Sequence, residues 1–429
     1  MLQETGHLNP TYKLLRELAA RGHEVRYFAI PDLAAKVEAQ GFAVEPWFPE
    51  LFPTGFADLE RKTNAFGRRR IITKRFETIA ERLLDGHGPA ASLAARRPDL
   101  LLVDVNEPRM ALLAEKLSIP AMLVNTSLPQ TWEAGVPPIR SGRVYGGGAL
   151  ARFRANAEWA AFLGKRRLSA ELANALGACP PYDLTRRWSP RFGVPSSRLD
   201  TGTAYMPQVR DQPELVLCPA AFDFPRQPSP SRHYVESVDL GRAEASFSSD
   251  FLNPERPFVF CSLGTQIYRP RETLRFLRLL VAAFAARPEW QLLLSIVRAP
   301  ASEDLGAVPP NVRVVRGAPQ LAVLRRAQLM ITHAGLGSVK ECILNGVPML
   351  AVPLDIDQPG NAARVEYHGI GLRCDVARVT KDELVRDIDR LLAEPAFAAR
   401  LGAMKTAFET VEHGTRGADV VESVLADAR

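Results

Sequence analysis

Apolar positions along this chain alternate between helical and strand-like spacing. Leu14, Leu15, Leu18 and Ala19 recur at helical intervals after Pro10 and before Gly22, which predicts an amphipathic helix over 10–21. Strands are then expected at 25–29, 100–105 and 121–124, and helices at 32–40, closed by Gly41, and at 108–117. Farther on, strands are expected at 258–262, 291–296, 312–315, 329–332 and 349–352, separated by helical segments such as 271–287. Thr380 and Glu383 form a capping-box pair ahead of Leu384, Ile388, Leu391 and Leu392, which starts a further helix. Strands alternating with helices imply parallel βαβ units, and hence an α/β fold of two Rossmann-like sheets facing across a cleft. Between the halves, Phe224 to Ser231 holds Pro225, Pro228 and Pro230, which cannot donate to a strand ladder. The boundaries are drawn accordingly: a first domain over 1–224, a connector over 225–256, a second domain over 257–408, and a last helix over 409–429 that packs back toward the first domain. Tyr145-Gly146-Gly147-Gly148 reads as a mobile loop, and Trp47, Trp132 and Trp159 either fill core or line a pocket.

Length and composition narrow this picture. The 429 residues exceed what one core holds, and 46% apolar with 24% charged residues is the balance of a folded globular chain. The longest apolar runs are strand-length, well short of the ~20 residues of a membrane-spanning helix. Met1-Leu2-Gln3-Glu4 shows neither the cationic start nor the apolar stretch of a secretory signal, so a cytoplasmic location is expected. The cysteines 179, 218, 261, 342 and 374 are scattered without metal-ligand spacing and read as reduced, mostly buried thiols. A net charge of +6 and the clusters Arg68-Arg69-Arg70, Lys74-Arg75 and Lys165-Arg166-Arg167 fit solvated helix faces, and they also allow peripheral contact with a membrane surface. No nucleic-acid partner is expected, and the oligomeric state is not legible.

Ligands of wound sheets bind at the carboxyl ends of the strands. The strand ending at Thr332 runs into His333-Ala334-Gly335-Leu336-Gly337-Ser338 and then a helix beginning near Val339 with Glu341 in its first turn. Free N–H groups at a helix N-terminus accept phosphate, glycines allow close backbone approach, and an imidazole N–H and a hydroxyl add donors. The same letters also occur in any tight turn. At the next strand end, Asp355, Asp357, Gln358 and Asn361 offer acceptors and donors suited to sugar hydroxyls, although Asp355 equally suits an Asx turn.

Ala318-Pro319-Gln320, His333-Ala334-Gly335, Ser338, Glu341, Gly346-Val347-Pro348-Met349, Asp357-Gln358 and Asn361-Ala362 together resemble the donor signature of family-one, GT-B-fold nucleotide-sugar glycosyltransferases. Gly6-His7-Leu8-Asn9-Pro10-Thr11 and Arg21-Gly22-His23-Glu24-Val25 resemble the opening of the acceptor domain in that family. Ser127-Leu128-Pro129 with Glu133, Val136-Pro137-Pro138, Phe222-Asp223-Phe224-Pro225-Arg226 and His233-Tyr234-Val235 are most similar to the bacterial branch of zeaxanthin and macrolide glucosyltransferases.

The resemblance implies an inverting hexosyltransferase. His7 would be the general base on an acceptor hydroxyl and Asp104 the carboxylate that orients it; Gln320 would meet the base, Glu341 the ribose, and His333 with Gly335, Leu336, Gly337 and Ser338 the diphosphate. Asp357 and Gln358 would hold the hexose, and Thr265 would reach the phosphates from the opposite loop. The implied partners are a UDP- or TDP-sugar donor and a lipophilic, hydroxylated small-molecule acceptor such as a polyketide, macrolide or carotenoid. No cofactor and no metal are implied, since a helix N-terminus and His333 can stabilise the departing diphosphate. Relatives carry a base-stacking aromatic where this chain has Gly317, often asparagine where it has Gly337, and a longer apolar strand before Gly6-His7. An additional apolar strand upstream of Leu2 is therefore expected. The rival readings are transfer to a membrane lipid and a non-catalytic sugar-nucleotide-binding protein, the latter disfavoured by the joint presence of His7 and Asp104.

Overall fold

The computed structural model describes residues 4–56, 65–175, 180–242, 247–248, 250–264, 269–297 and 302–427. In the first half, β1 (Arg26–Ala29) pairs in parallel with β2 (Ala43–Pro46). Beside this pair stands a four-stranded parallel sheet begun by β3 (Leu101–Asp104) and β4 (Ala121–Asn125). A short antiparallel pair, β5 (Leu199–Asp200) and β6 (Gln208–Val209), precedes β7 (Glu214–Val216) and β8 (Arg232–Tyr234), which complete the order β3-β4-β7-β8.

The helix expected over 10–21 divides into a single α-turn Thr5–Leu8, a 3-10 turn Asn9–Thr11 and a helix Tyr12–Ala20. Pro10 sits where a missing N–H is harmless, at the start of the 3-10 turn. Leu8, Tyr12 and Leu14 share one core with Tyr27 of β1, Met122 and Val124 of β4 and Leu215 of β7, so these turns bind both first-half sheets. The strand expected upstream of Leu2 lies outside the described residues.

The proline segment does not end the first sheet, as the sequence had suggested. β8 follows it and pairs with β7, so Phe224 to Ser231 is a crossover within the first half. Arg226 fixes that crossover through Asp223 (2.7 Å) and Glu133 (3.1 Å). The proline residues withhold ladder donors only from their own positions, and the chain leaves the first half after β8 instead.

The second half is one six-stranded parallel sheet: β9 (Phe258–Ser262), β10 (Gln291–Ser295), β11 (Val312–Val315), β12 (Leu329–Thr332), β13 (Met349–Ala351) and β14 (Gly371–Arg373). Every residue of β9, β10, β12 and β13 is buried, as expected of strands covered by helices on both faces. The order β11-β10-β9-β12-β13-β14 reverses direction between β9 and β12. A doubly wound sheet opens its ligand crevice at such a reversal, beyond the carboxyl ends of the strands. The helix Leu336–Asn345 leaves β12 there, and the helix Gln358–Tyr367 follows β13. Thr380 and Glu383 form the expected reciprocal cap on the helix Lys381–Ala393, a device worth about 1 kcal/mol.

Buried polar groups join the halves. Lys340 Nζ, on the Leu336–Asn345 helix, donates to Leu217 O and Ser237 Oγ, each at 2.7 Å. Arg364, on the Gln358–Tyr367 helix, donates to Asp223 Oδ1 through Nε (2.9 Å) and Nη2 (2.6 Å). At Gly360 an added Cβ would lie 2.1 Å from Ile139 O, so only glycine admits this approach between the halves. The last helix, Arg416–Asp427, returns to the first half and places Ala418 and Val421 in the core around Tyr12.

The loop at Tyr145–Gly148 is less free than its glycines suggest, because Tyr145 stacks on Phe224 with ring centroids 5.6 Å apart. Trp47 fills core, whereas buried Trp159 and half-exposed Trp132 line a cavity of about 710 Å³ with Asn156, Leu163, Asp200 and Arg210. Arg166 of the basic cluster is a packing group that donates to Thr201 O and Thr203 O, and Arg75 stacks on Phe52 and Phe56. The described cysteines, Cys218, Cys261, Cys342 and Cys374, are free and buried; Cys179 lies outside the described residues. Among the described residues no helix is long and apolar enough to cross a membrane.

Candidate active site

His7 lies in the one-turn helix Thr5–Leu8, not in an irregular loop as its polar neighbours suggest. Thr11 anchors that turn, since its hydroxyl donates to Leu8 O (2.7 Å) and meets Tyr27 OH (2.6 Å). Asp104 ends β3, is 0% exposed, and brings Oδ2 to 2.7 Å from His7 Nδ1. Its other oxygen accepts from the Asn106 N–H at 2.9 Å, which fixes the plane of the carboxylate. Thr126, one residue beyond β4, places Oγ1 2.9 Å from the same His7 nitrogen. Nδ1 is thus occupied, and Nε2 is the ring nitrogen left to exchange a proton with a ligand.

Burial of the imidazole opposes its charge, but the carboxylates of Asp104, Glu4 and Asp357 outweigh that effect and raise the His7 pKa above its ordinary 6.5. Burial also opposes the charge of Asp104. The His7 charge and hydrogen bond overcome it and bring this carboxyl down to about 2. The pair is therefore an imidazole backed by a carboxylate that stays ionised at neutral pH.

Across the crevice, His333 follows β12 with its ring clamped between two glycines. A Cβ on Gly264 would lie 2.8 Å from the ring, and one on Gly335 would lie 2.5 Å from Nε2. Burial pushes the His333 pKa below 6.5 against the pull of Asp357 and of a hydrogen bond to the Ser262 backbone, so at neutral pH the ring is uncharged. Its Nδ1 is buried without a protein partner. Gly335 is the N-cap of the Leu336–Asn345 helix, and the N–H groups of Leu336, Gly337 and Ser338 open its first turn, where no intrahelical acceptor exists. Gln320 donates through Nε2 to Ser338 Oγ (3.1 Å) and to Glu341 Oε2 (2.7 Å), which brings these expected donor residues into one cluster.

Asp357 and Gln358 begin the helix after β13, and the structure separates their roles. Asp357 Oδ2 accepts from Asn361 Nδ2 (3.1 Å) and, across the crevice, from Ser127 Oγ (3.0 Å). Gln358 spends its carbonyl oxygen on its own loop, accepting from Leu354 N (2.8 Å) and Asp355 N (3.1 Å), so only its amide N–H groups remain for a ligand. Asn361 also donates to Ala334 O (3.0 Å), and its Oδ1 is buried without a partner. Asp355 pairs with Arg140 at 3.2 Å instead of facing this cluster. Thr265 lies outside the described residues.

Thr126, Ser127 and Arg242 join the site although sequence reasoning did not assign them. Ser127 figures in the sequence only within the Ser127-Leu128-Pro129 motif, and the contacts of all three span the chain. Among the described residues no three His, Cys, Asp or Glu side chains converge as metal ligands.

Residues 200–406 match the family described as UDP-glucoronosyl and UDP-glucosyl transferase. The chain is 30% identical to the zeaxanthin glucosyltransferase of Pantoea ananas, covering 98% of this chain and 93% of that protein. It is 28% identical to the oleandomycin glycosyltransferase of Streptomyces antibioticus, covering 98% and 88%. The crystal structure of the glycotransferase of kitacinnamycin superposes with a TM-score of 0.73 at 29% identity, covering 98% of this chain and 96% of that one. With two α/β halves facing across a crevice and these relatives along nearly its whole length, the chain is a GT-B-fold glycosyltransferase that belongs to the UDP-glucoronosyl and UDP-glucosyl transferase family.

Proposed function

We propose that the protein transfers a hexose from a nucleoside-diphosphate sugar to a hydroxyl of a lipophilic natural product, in a single inverting displacement without a metal ion. The observation that carries this reading is the 2.7 Å contact between His7 Nδ1 and buried Asp104, facing a helix N-terminus across the crevice. An acceptor hydroxyl is a poor nucleophile at neutral pH. His7 Nε2 removes its proton as the oxygen attacks the anomeric carbon, and Asp104 stabilises the imidazolium that forms. The bond from the anomeric carbon to the diphosphate breaks, and its electron pair leaves on the phosphate oxygen. That charge develops beside the N–H groups of Leu336, Gly337 and Ser338, a donor set that needs no reorganisation, with the His333 ring next to them. Asp357 exchanges its Ser127 contact for hexose hydroxyls, with Gln358 and Asn361 beside it.

The names of relatives, a macrolide transferase and a carotenoid transferase, support an apolar acceptor of that kind. Mass spectrometry of reactions pairing UDP- and TDP-hexoses with hydroxylated polyketides, macrolides, flavonoids and carotenoids tests the reading. Glycoside of inverted anomeric configuration is expected, undiminished by EDTA. Activity lost to EDTA and restored by magnesium would remove the metal-free mechanism, and retained configuration would remove the single displacement.

Acidity gives a second check. Because the neutral imidazole is the working form and its pKa is raised, kcat/KM is expected to climb with pH through a midpoint above 6.5. Asp104→Asn removes the charge that raises it, so the midpoint moves down while the plateau also falls. An unmoved midpoint would assign the titration to another group.

A further inference from the structure

Glu341 is engaged by the protein itself at both carboxylate oxygens. Arg242 Nη1 lies 2.7 Å from Oε1 and Gln320 Nε2 lies 2.7 Å from Oε2. Gln320 belongs to the same half as Glu341, but Arg242 does not: it lies on the segment that carries the chain from β8 to β9. Its side chain is only 17% exposed, and its charge reaches Lys36 on the first-half helix Pro31–Glu38, whose ammonium is disfavoured by burial and by Arg242. The guanidinium thus reaches from the segment between β8 and β9 to the Glu341 carboxylate of the second half.

A carboxylate oxygen accepts along two lone-pair directions. With one direction on each oxygen taken, one on each remains, and the terminal torsion of Glu341, otherwise broad, is fixed by a donor on either side. Two acceptors side by side match two vicinal hydroxyl donors. A ribose supplies both hydroxyls, while a 2′-deoxyribose supplies one.

We propose that Arg242 is a positioning residue that locks the Glu341 carboxylate to receive a vicinal diol, so that the site selects ribonucleoside diphosphates over 2′-deoxyribonucleoside diphosphates. This rests on Glu341 being the ribose acceptor and narrows the donor class to ribonucleotide sugars. It also makes recognition of the nucleotide depend on a side chain outside the sheet that binds it.

Calorimetric titration of the full chain with UDP and with 2′-deoxyuridine diphosphate tests it, since the two ligands differ by one hydroxyl. The wild type is expected to prefer UDP by about tenfold, the scale of one hydrogen bond to a charged group. Arg242→Ala and Arg242→Gln are expected to lose most of that preference by weakening UDP more than the deoxy ligand, and Arg242→Lys to recover part of it. A general folding defect would weaken both ligands alike and leave the ratio intact. Glu341→Gln separates the two layers of the argument. If it leaves the wild-type ratio unchanged, the ribose reading fails. If it abolishes the ratio while Arg242→Ala and Arg242→Gln keep it, the ribose reading stands and the role of Arg242 falls. Tighter UDP binding by Arg242→Ala would make the arginine a competitor of the nucleotide and overturn the proposal, as would a wild-type ratio near one.

Discussion

His7→Ala is expected to lower turnover by about 10²–10⁴-fold, the usual contribution of a general base, while nucleotide affinity stays within about twofold of wild type. The two effects separate because His7 sits on the first half with Asp104 and Thr126, whereas the N–H groups proposed to hold the phosphates sit at the start of the Leu336–Asn345 helix. Asp104→Asn should fall less far. It keeps the shape and one polar contact but no longer stabilises the imidazolium. Single-turnover rates and calorimetric titration of UDP measure the two quantities independently. An equal loss of rate and of nucleotide affinity in His7→Ala would show that the residue organises the donor site and is not the base.

The largest loss of stability is expected at Asp223, which has no contact with either substrate in this reading. Its Oδ1 accepts from Arg364 and from Phe224 N, and its Oδ2 accepts from Arg226 Nε and Tyr234 OH, each at 2.7 Å. Burial opposes its charge, yet the guanidiniums of Arg226 and Arg364 hold the carboxyl well below the usual range. Asp223→Ala leaves Arg364 fully buried with no carboxylate, a change expected to cost ~3–5 kcal/mol in urea unfolding. Arg364→Met in the same background should recover part of this, because an apolar side chain tolerates what an unpaired cation does not. A loss below about 1 kcal/mol would mean that Phe224, stacked 4.0 Å from the guanidinium, and Gly360 O suffice for Arg364. The sign with pH is fixed as well. A depressed carboxyl contributes fully above its unfolded value near ~4 and loses that contribution as the pH falls toward its folded value.

The second half was legible because its strands are buried on both faces and its helices carry their own punctuation. Phe258–Ser262 and Leu329–Thr332 stand as uninterrupted short runs, and Thr380 with Glu383 announces its helix by local chemistry alone. The helix Ala149–Ala175 escaped for the opposite reason: Leu150, Phe153, Leu168 and Leu172 point to solvent, so no apolar face separates from a polar one. The turn holding His7 is too short for any periodicity to appear. In the site, His333, Glu341 and Asp357 could be placed from their positions just beyond strand ends. Thr126, Ser127 and Arg242 could not, because their partners lie 119, 230 and 99 residues away. Such residues have no local signature, and their roles exist only once the halves have met.

The helices Leu336–Asn345 and Gln358–Tyr367 carry ligand-facing groups at their first turns and inter-half anchors farther along, Lys340 and Arg364. Recombining this donor half with the acceptor half of another relative, the obvious route to new glycosides, therefore exchanges more than a binding surface. A foreign first half that lacks counterparts of Asp223 and Ser237, or the room that Ile139 leaves for Gly360, would strand buried polar groups on the very helices proposed to hold the sugar nucleotide. The donor half is thus matched to residues 217–237 and to the stretch from Ser127 to Tyr145, and a hybrid enzyme keeps its inter-half contacts only if both stretches travel with it.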